Sequence, residues 1–271
     1  MSAAPSPAQL RADAEALARD AGAVLREGHG RTHRPERKGR IDLVTEHDRR
    51  AERVVIEGLA RRYPGHAVLA EESGASAPKP GGDTGSPSVR WIVDPLDGTT
   101  NYAHNYPFFC VSIAAEVEGV LAAGAVYDPV RDELFSAAAG AGATLNGTAL
   151  GVSDIDRVED ALLVTGFPYE HPERSLPLFE AFLVRAQAVR RDGSAALNLC
   201  YLAAGRFDGF WEDDLSPWDM AAGVLIVREA GGRVTSYEGG EFRLERPEIL
   251  ASNGRIHEEM KGLLAGVRAR R

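Results

Sequence analysis

The chain has 271 residues, 44% apolar and 26% charged, with 40 acidic side chains against 31 basic ones and a formal charge of −9. This composition excludes whole-chain disorder, collagen and coiled coil, and the length is enough to bury a core without disulfides or a structural metal. The acidic balance argues against nucleic acid as the main ligand, and the longest apolar stretch, residues 221–227, is far too short for a bilayer. No membrane or nucleic-acid partner is therefore expected. Residues 1–7 lack the basic and apolar segments of a secretory signal. Cys110 and Cys200 form no C-x-x-C pair and read as buried thiols of a cytoplasmic protein.

Ser6-Pro7 with Gln9 reads as a helix start, after which Leu10, Leu17, Ala21, Val24 and Leu25 recur at helical spacing until Gly28 and Gly30. A second amphipathic helix is predicted over residues 48–62, stopped by Pro64-Gly65. Residues 68–70 form a short strand leading into Glu71-Glu72-Ser73. The stretch 74–88, with three prolines and four glycines, reads as a mobile loop. Strands at 91–93, 110–118, 120–127, 133–138 and 143–145, separated by turn residues, predict an antiparallel meander. Beyond Ser153 the pattern changes. Short strands (162–165, 207–211, 233–235, 249–251) alternate with helical segments (176–185, 195–204, 219–230, 257–267), which predicts an α/β half with some parallel pairing. Two layered halves, 1–152 and 153–271, are expected to share a cleft.

Several common catalytic motifs are missing. There is no G-x-G-x-x-G, no G-x-S-x-G and no H-E-x-x-H, and the three lysines, Lys38, Lys79 and Lys261, complete no Walker loop. The informative segment is Trp91-Ile-Val-Asp94-Pro-Leu-Asp97-Gly-Thr-Thr-Asn101, a strand running into an acidic turn. Asp97 is placed to cap a helix beginning at Gly98-Thr99, whose free N–H groups suit a phosphate. Two carboxylates beside that phosphate would require hard cations such as Mg²⁺ between them. The alternative is plain turn chemistry. A covalent aspartyl phosphatase would need D-x-D-G-T, and the spacing of three excludes that geometry. Ser216-Pro217-Trp218-Asp219 reads equally as a helix start, Glu71-Glu72 as a solvated strand end, and Asp48 as a helix cap.

Taken in order, Asp42-Leu-Val-Thr-x-x-Asp48, Glu71-Glu-Ser, Asp94-Pro-Leu-Asp-Gly-Thr-Thr-Asn and Trp218-Asp-x-Ala-Ala-Gly with Glu229-Ala-Gly-Gly resemble the inositol monophosphatase family. Tyr127-Asp-Pro-Val-x-Asp-Glu-Leu-Phe, Leu145-Asn-Gly, Thr165-Gly-Phe-Pro-Tyr and Gly193-Ser-Ala-Ala-Leu-Asn agree with it as well. The resemblance implies an α+β fold, a layered α-β-α-β-α sandwich with an antiparallel N-terminal sheet and a mixed C-terminal sheet meeting at a metal site. It also implies a Mg²⁺-dependent, lithium-sensitive phosphatase, commonly a homodimer, acting on a small-molecule phosphate monoester.

By that resemblance Glu71, Asp94 and the Leu96 carbonyl hold one Mg²⁺, Asp94, Asp97 and Asp219 a second, and Glu71 helps with a third. The implied reaction is direct attack of a metal-activated water on phosphorus, with Thr99 and Asp48 orienting the water and drawing off its proton. Gly98 and Thr99 would hold phosphate oxygens, while Gly193, Ser194, Ala195, Asp97 and Asp219 would line the substrate pocket. Glu212 falls where the family keeps a hydroxyl-reading glutamate, although in Glu212-Asp213-Asp214 it reads equally as an exposed turn acid. Lys38 falls where the family keeps a lysine near the metals. The implied substrate is inositol monophosphate or a similar polyol or sugar phosphate. Histidinol phosphate, fructose bisphosphate, a nucleotide 3′-phosphate and an added regulatory binding role are the alternatives.

Overall fold

The structure, a computed structural model, describes residues 5–31, 35–37, 43–76, 88–168 and 171–269. Lys38, Asp42 and residues 77–87 of the expected loop lie outside the described residues. In the N-terminal part the elements are α1 (Pro7–Gly28), β1 (Glu36–Arg37), β2 (Leu43–Val44), α2 (Glu46–Arg62), β3 (Ala67–Ala70), β4 (Gly74–Ser76), β5 (Val89–Asp97) and α3 (Thr99–Ala103). Then follow β6 (Cys110–Val117), β7 (Val120–Asp128), β8 (Glu133–Ala138), β9 (Ala143–Leu145) and β10 (Thr148–Ala149). The remaining elements are β11 (Leu162–Thr165), α4 (Leu176–Leu183), β12 (Ala188–Arg190), α5 (Ala195–Ala203), β13 (Gly209–Glu212), α6 (Pro217–Glu229), β14 (Arg233–Thr235), β15 (Ile249–Ser252) and α7 (His257–Arg268).

Two sheets carry the fold. The first has eight strands in the order β10-β9-β8-β7-β6-β5-β3-β4, and the second five in the order β12-β11-β13-β15-β14. The first sheet is not wholly antiparallel as expected, because β3 pairs parallel with β5. The physical reason is the crossover: β3 and β5 are separated by β4 and the segment after it, so β5 enters from the same end as β3. The second sheet is mixed, with β11 parallel to β12 and β13 and the other pairs antiparallel. Residues 74–76, read from sequence as loop, form β4 on the sheet edge.

Three apolar clusters separate five layers. Helix α1 buries Leu10, Ala14, Leu17, Ala18, Ala21 and Leu25 along one stripe and, with α2, covers the outer face of the first sheet. Its start is as read, with Ser6 Oγ accepting from Gln9 N at 3.2 Å. Helices α5 and α6 fill the space between the sheets, and α4 and α7 cover the outside of the second. This is the α-β-α-β-α sandwich. The middle layer is tight: a Cβ on Gly124 of β7 would come within 3.0 Å of the Ala222 Cα on α6. Among the described residues no helix is long and apolar enough to cross a membrane.

Alternation along the strands decides what faces that middle layer. In β5, Trp91 and Val93 pack toward α1 and α2, while Ile92 packs toward α5 and α6. Asp94, two residues beyond Ile92, therefore points at the middle layer. A spacing of three would ordinarily turn Asp97 to the opposite face. It does not, because the register shifts between Asp94 and Asp97: Asp94 pairs with Ser112 and Asp97 with Cys110, three residues opposing two. This bulge, at Pro95 where no N–H is available for pairing, returns Asp97 to the Asp94 side.

Candidate active site

Parallel pairing of β3 and β5 brings the first two acids together. Ala70 is the register partner of Val93, and Glu71 N donates to Val93 O at 3.2 Å, so Glu71 follows β3 beside Asp94. Asp94 is 1% exposed. Burial, then the charges of Glu71, Asp97 and Asp219, push its carboxyl well above the ordinary range. Its Oδ1 accepts from Leu96 N at 2.9 Å, which folds the Pro95-Leu96 turn back on the carboxylate.

Asp97 departs from the expectation. It does not cap the following helix. Gly98 holds that position with φ +97, a left-handed backbone that suits glycine. The Asp97 carboxylate instead turns across the middle layer to the start of α5. Its Oδ2 accepts from Ser194 Oγ and Ala196 N, each at 2.7 Å, and from the Cys110 thiol at 3.8 Å. Burial raises its pKa to about 6, with the α5 donors pulling the other way. Cys110 itself stays a thiol, because burial pushes it well above its ordinary range.

Asp219 arrives from α6, where it sits third after the cap residue Ser216 and accepts from Ser216 N at 2.7 Å. That helix begins at Pro217, as the Ser216-Pro217 start predicts, because proline suits its first turn. Burial and the Asp97 charge raise the Asp219 pKa well above the ordinary range. Asp48 also departs from expectation as a cap. Thr45 caps α2, and Asp48 lies at its third position, with Oδ2 accepting from Thr45 N at 2.9 Å. Asp48 Oδ1 faces Thr99 Oγ1 at 3.1 Å, and the same hydroxyl lies 3.0 Å from the Leu96 carbonyl.

The donor set is all oxygen: four carboxylates and one carbonyl, the chemistry of a hard divalent cation rather than a soft one. Among the described residues no three acidic, histidine or cysteine side chains close into a ready-made cage. Mg²⁺ does not need one, since it keeps several waters and combines one or two carboxylates with phosphate oxygens. The residues present therefore fit such an ion.

A family model described as the inositol monophosphatase family matches residues 6–270. The chain belongs to this family. It is 47% identical over 249 residues to an inositol-1-monophosphatase of Synechocystis, covering 90% of this chain and 85% of that protein. It is 43% identical over 234 residues to the Nus factor SuhB of Escherichia coli, covering 85% and 84%. The solved inositol monophosphatase of Anabaena superposes with a TM-score of 0.84 at 43% identity, covering 94% of this chain and 95% of that one. The protein is a phosphatase, and the acidic cluster is the place where this family's metal-dependent chemistry is to be sought.

In this inositol monophosphatase family member, Glu212 is not an exposed turn acid. It ends β13, half-buried, and burial followed by the charges of Asp219 and Asp97 raises its pKa well above the ordinary range. Its carboxylate lies against Gly166, so that any Cβ there would collide with it. Gly193 (φ +81), Ser194 and Ala195 lead into α5 directly opposite Asp97. Residues that sequence reasoning missed are Ala196, whose N–H holds Asp97, and Gly166. The Ser194-x-x-Leu197 helix start was a local signal for the former. Gly166 lies in the Thr165-Gly-Phe-Pro-Tyr segment, which agrees with the family but assigns the glycine no role.

Proposed function

We propose that the chain is a Mg²⁺-dependent phosphomonoesterase acting on inositol monophosphate or a closely similar polyol phosphate. The observation that carries this reading is the convergence of the acids: parallel pairing sets Glu71 beside Asp94, the bulge returns Asp97 to the same face, and Asp219 follows the Trp218 carbonyl that Ser112, opposite Asp94, holds. On this reading Glu71, Asp94 and the Leu96 carbonyl hold one ion, Asp94, Asp97 and Asp219 a second, and Glu71 contributes to a third. When bound, the ions neutralise phosphate charge and acidify a neighbouring water.

The chain's own groups orient and move protons. Thr99 Oγ1 donates to Asp48 Oδ1, which leaves its lone pairs available to accept from the attacking water. Burial raises the Asp48 pKa above that of an ordinary carboxylate, making it a better proton acceptor. The water's oxygen bonds to phosphorus as the ester P–O bond breaks; the electron pair leaves with the alcohol oxygen, which takes a proton from solvent, while the attacking water's proton is drawn through Thr99 Oγ1 toward Asp48. Backbone N–H groups of Gly98 and Thr99 hold phosphate oxygens in place as charge develops. Glu212 accepts hydrogen bonds from ring hydroxyls opposite Gly193, Ser194 and Ala195.

The test is phosphate release from inositol monophosphate, histidinol phosphate, fructose bisphosphate and a nucleotide 3′-phosphate, with Mg²⁺ titration and added Li⁺. Mg²⁺-dependent release, strongest on the polyol ester and suppressed by Li⁺, is expected. No metal-dependent release from any of them would sink the reading. The identity with a protein named as a Nus factor favours a second, regulatory role. Co-purification of transcription machinery with the Asp94→Asn variant would separate that role from catalysis.

A further inference from the structure

Asn101 lies half-buried in α3, four residues beyond Asp97. Its Nδ2 is 2.8 Å from Phe108 O, 2.8 Å from Asp192 O and 3.4 Å from Gly193 O. Three carbonyl oxygens around one terminal atom require that atom to be the amide nitrogen, since an oxygen there would meet only lone pairs. The two amide protons satisfy Phe108 and Asp192, and Gly193 sits alongside.

The contact joins segments 91 residues apart. On one side is the single helical turn that follows the Asp94–Asp97 bulge. On the other is the loop that delivers Gly193, Ser194 and Ala195 to the start of α5. Gly193 makes the approach possible twice over: its φ is +81, and a Cβ there would come within 3.2 Å of Asn101 Nδ2. The Ser194–Asp97 bond ties the same loop to a carboxylate of the acidic cluster, whereas the Asn101 amide nitrogen is hydrogen-bonded to backbone carbonyls.

We infer that Asn101 is a positioning residue that sets the spacing between the phosphate end of the site, Asp94 to Thr99, and its hydroxyl-reading end, Gly193 to Ala195 with Glu212. The inference rests on the polyol-phosphate reading above. A group that fixes the distance between two subsites aids only substrates that engage both at once. An aryl phosphate without hydroxyls engages only the phosphate end and is indifferent to Asn101.

Asn101→Ala removes the amide, and Asn101→Asp keeps its shape while setting oxygen against the carbonyls. Kinetics on inositol monophosphate and p-nitrophenyl phosphate, Mg²⁺ half-saturation, and hydrogen exchange of residues 191–197 in substrate-free protein read the effect. Both variants are expected to raise KM for inositol monophosphate about tenfold, Asp more than Ala, with p-nitrophenyl phosphate changed less than about twofold. Mg²⁺ half-saturation stays put, and exchange over 191–197 quickens.

Equal losses on both substrates, or unchanged KM and unchanged exchange, overturn the assignment. Should Asn101→Asp fail to fold, Asn101→Ala and the exchange over 191–197 decide. If the wild type cleaves p-nitrophenyl phosphate but no polyol ester, the substrate reading fails by itself. The exchange measurement then still decides whether Asn101 holds the loop: faster exchange supports it, and unchanged exchange refutes it.

Discussion

The Ser194 hydroxyl donates a 2.7 Å hydrogen bond to Oδ2 of Asp97, joining the end of β5 to the start of α5. The same oxygen atom of Ser194 accepts from Leu197 N at 3.4 Å and so caps α5. One hydroxyl thus holds both a helix start and a candidate metal carboxylate.

Ser194→Ala is expected to act on both. Loss of the cap costs about 1 kcal/mol of stability, and loss of a hydrogen bond to a carboxylate, about 2 kcal/mol, weakens Mg²⁺ half-saturation by about tenfold or more. Ser194→Thr restores both. Thermal melts and Mg²⁺ titration of turnover measure the two effects separately. A Ser194→Ala variant with unchanged Mg²⁺ dependence would show that Ala196 N suffices to aim Asp97.

Asp94→Asn separates activity from stability. The buried Asp94 carboxylate is opposed by Glu71, Asp97 and Asp219, so removing its charge relieves repulsion in the metal-free chain. The variant is expected to lose Mg²⁺-dependent turnover, to melt higher than wild type in EDTA, and to lose the upward melting shift that Mg²⁺ gives wild type by mass action. Retention of most activity would contradict the ligand assignment.

Gly166 and Glu212 are predicted to behave as one unit. Glu212→Gln weakens hydrogen-bond acceptance from ring hydroxyls and should impair polyol phosphates while sparing p-nitrophenyl phosphate. Gly166→Ala places a Cβ where the Glu212 carboxylate now lies. Because that carboxylate ends a flexible side chain, the protein should fold and show the same selective loss. Kinetics on the two substrates with both single variants and the double variant provide the check. Additive losses in the double variant would mean that the two residues act independently.

His257 gives the fold an acid-sensitive point. It is fully buried, with Nε2 2.9 Å from Thr235 Oγ1 and Nδ1 2.8 Å from Ser252 Oγ. Burial, then the charge of Arg233, lowers its pKa to about 4. The unfolded chain takes up the proton near pH 6.5 and the folded chain only near 4. The unfolded state therefore binds more protons between those values, and stability falls as pH drops through that window, by up to about 3 kcal/mol. Urea melts at pH 7 and pH 4.5 are expected to show this fall. His257→Gln, less stable at pH 7 through its lost contacts, should show a shallower slope, and an identical slope would remove His257 as the cause.

What the amino-acid order determined by itself was local. The helical stripe of Leu10, Leu17, Ala21 and Leu25, the Ser6 and Ser216 helix starts, and the strands 133–138, 143–145, 162–165 and 233–235 follow from periodicity and capping within a few residues. The ordered acidic motifs also mark the chain as resembling its family. Which way each acid points is a different kind of fact. Asp97 shares a face with Asp94 only because the strand bulges against β6. Glu71 stands beside Asp94 only because β3 and β5 run parallel. Asp97 turns from its own helix to the start of α5, and Asn101 reaches a loop 91 residues away. Strand pairing and layer docking set those directions, through burial shared between segments far apart in the chain. A window of neighbouring residues carries no record of them, so only the tertiary structure could decide how the acids are arranged.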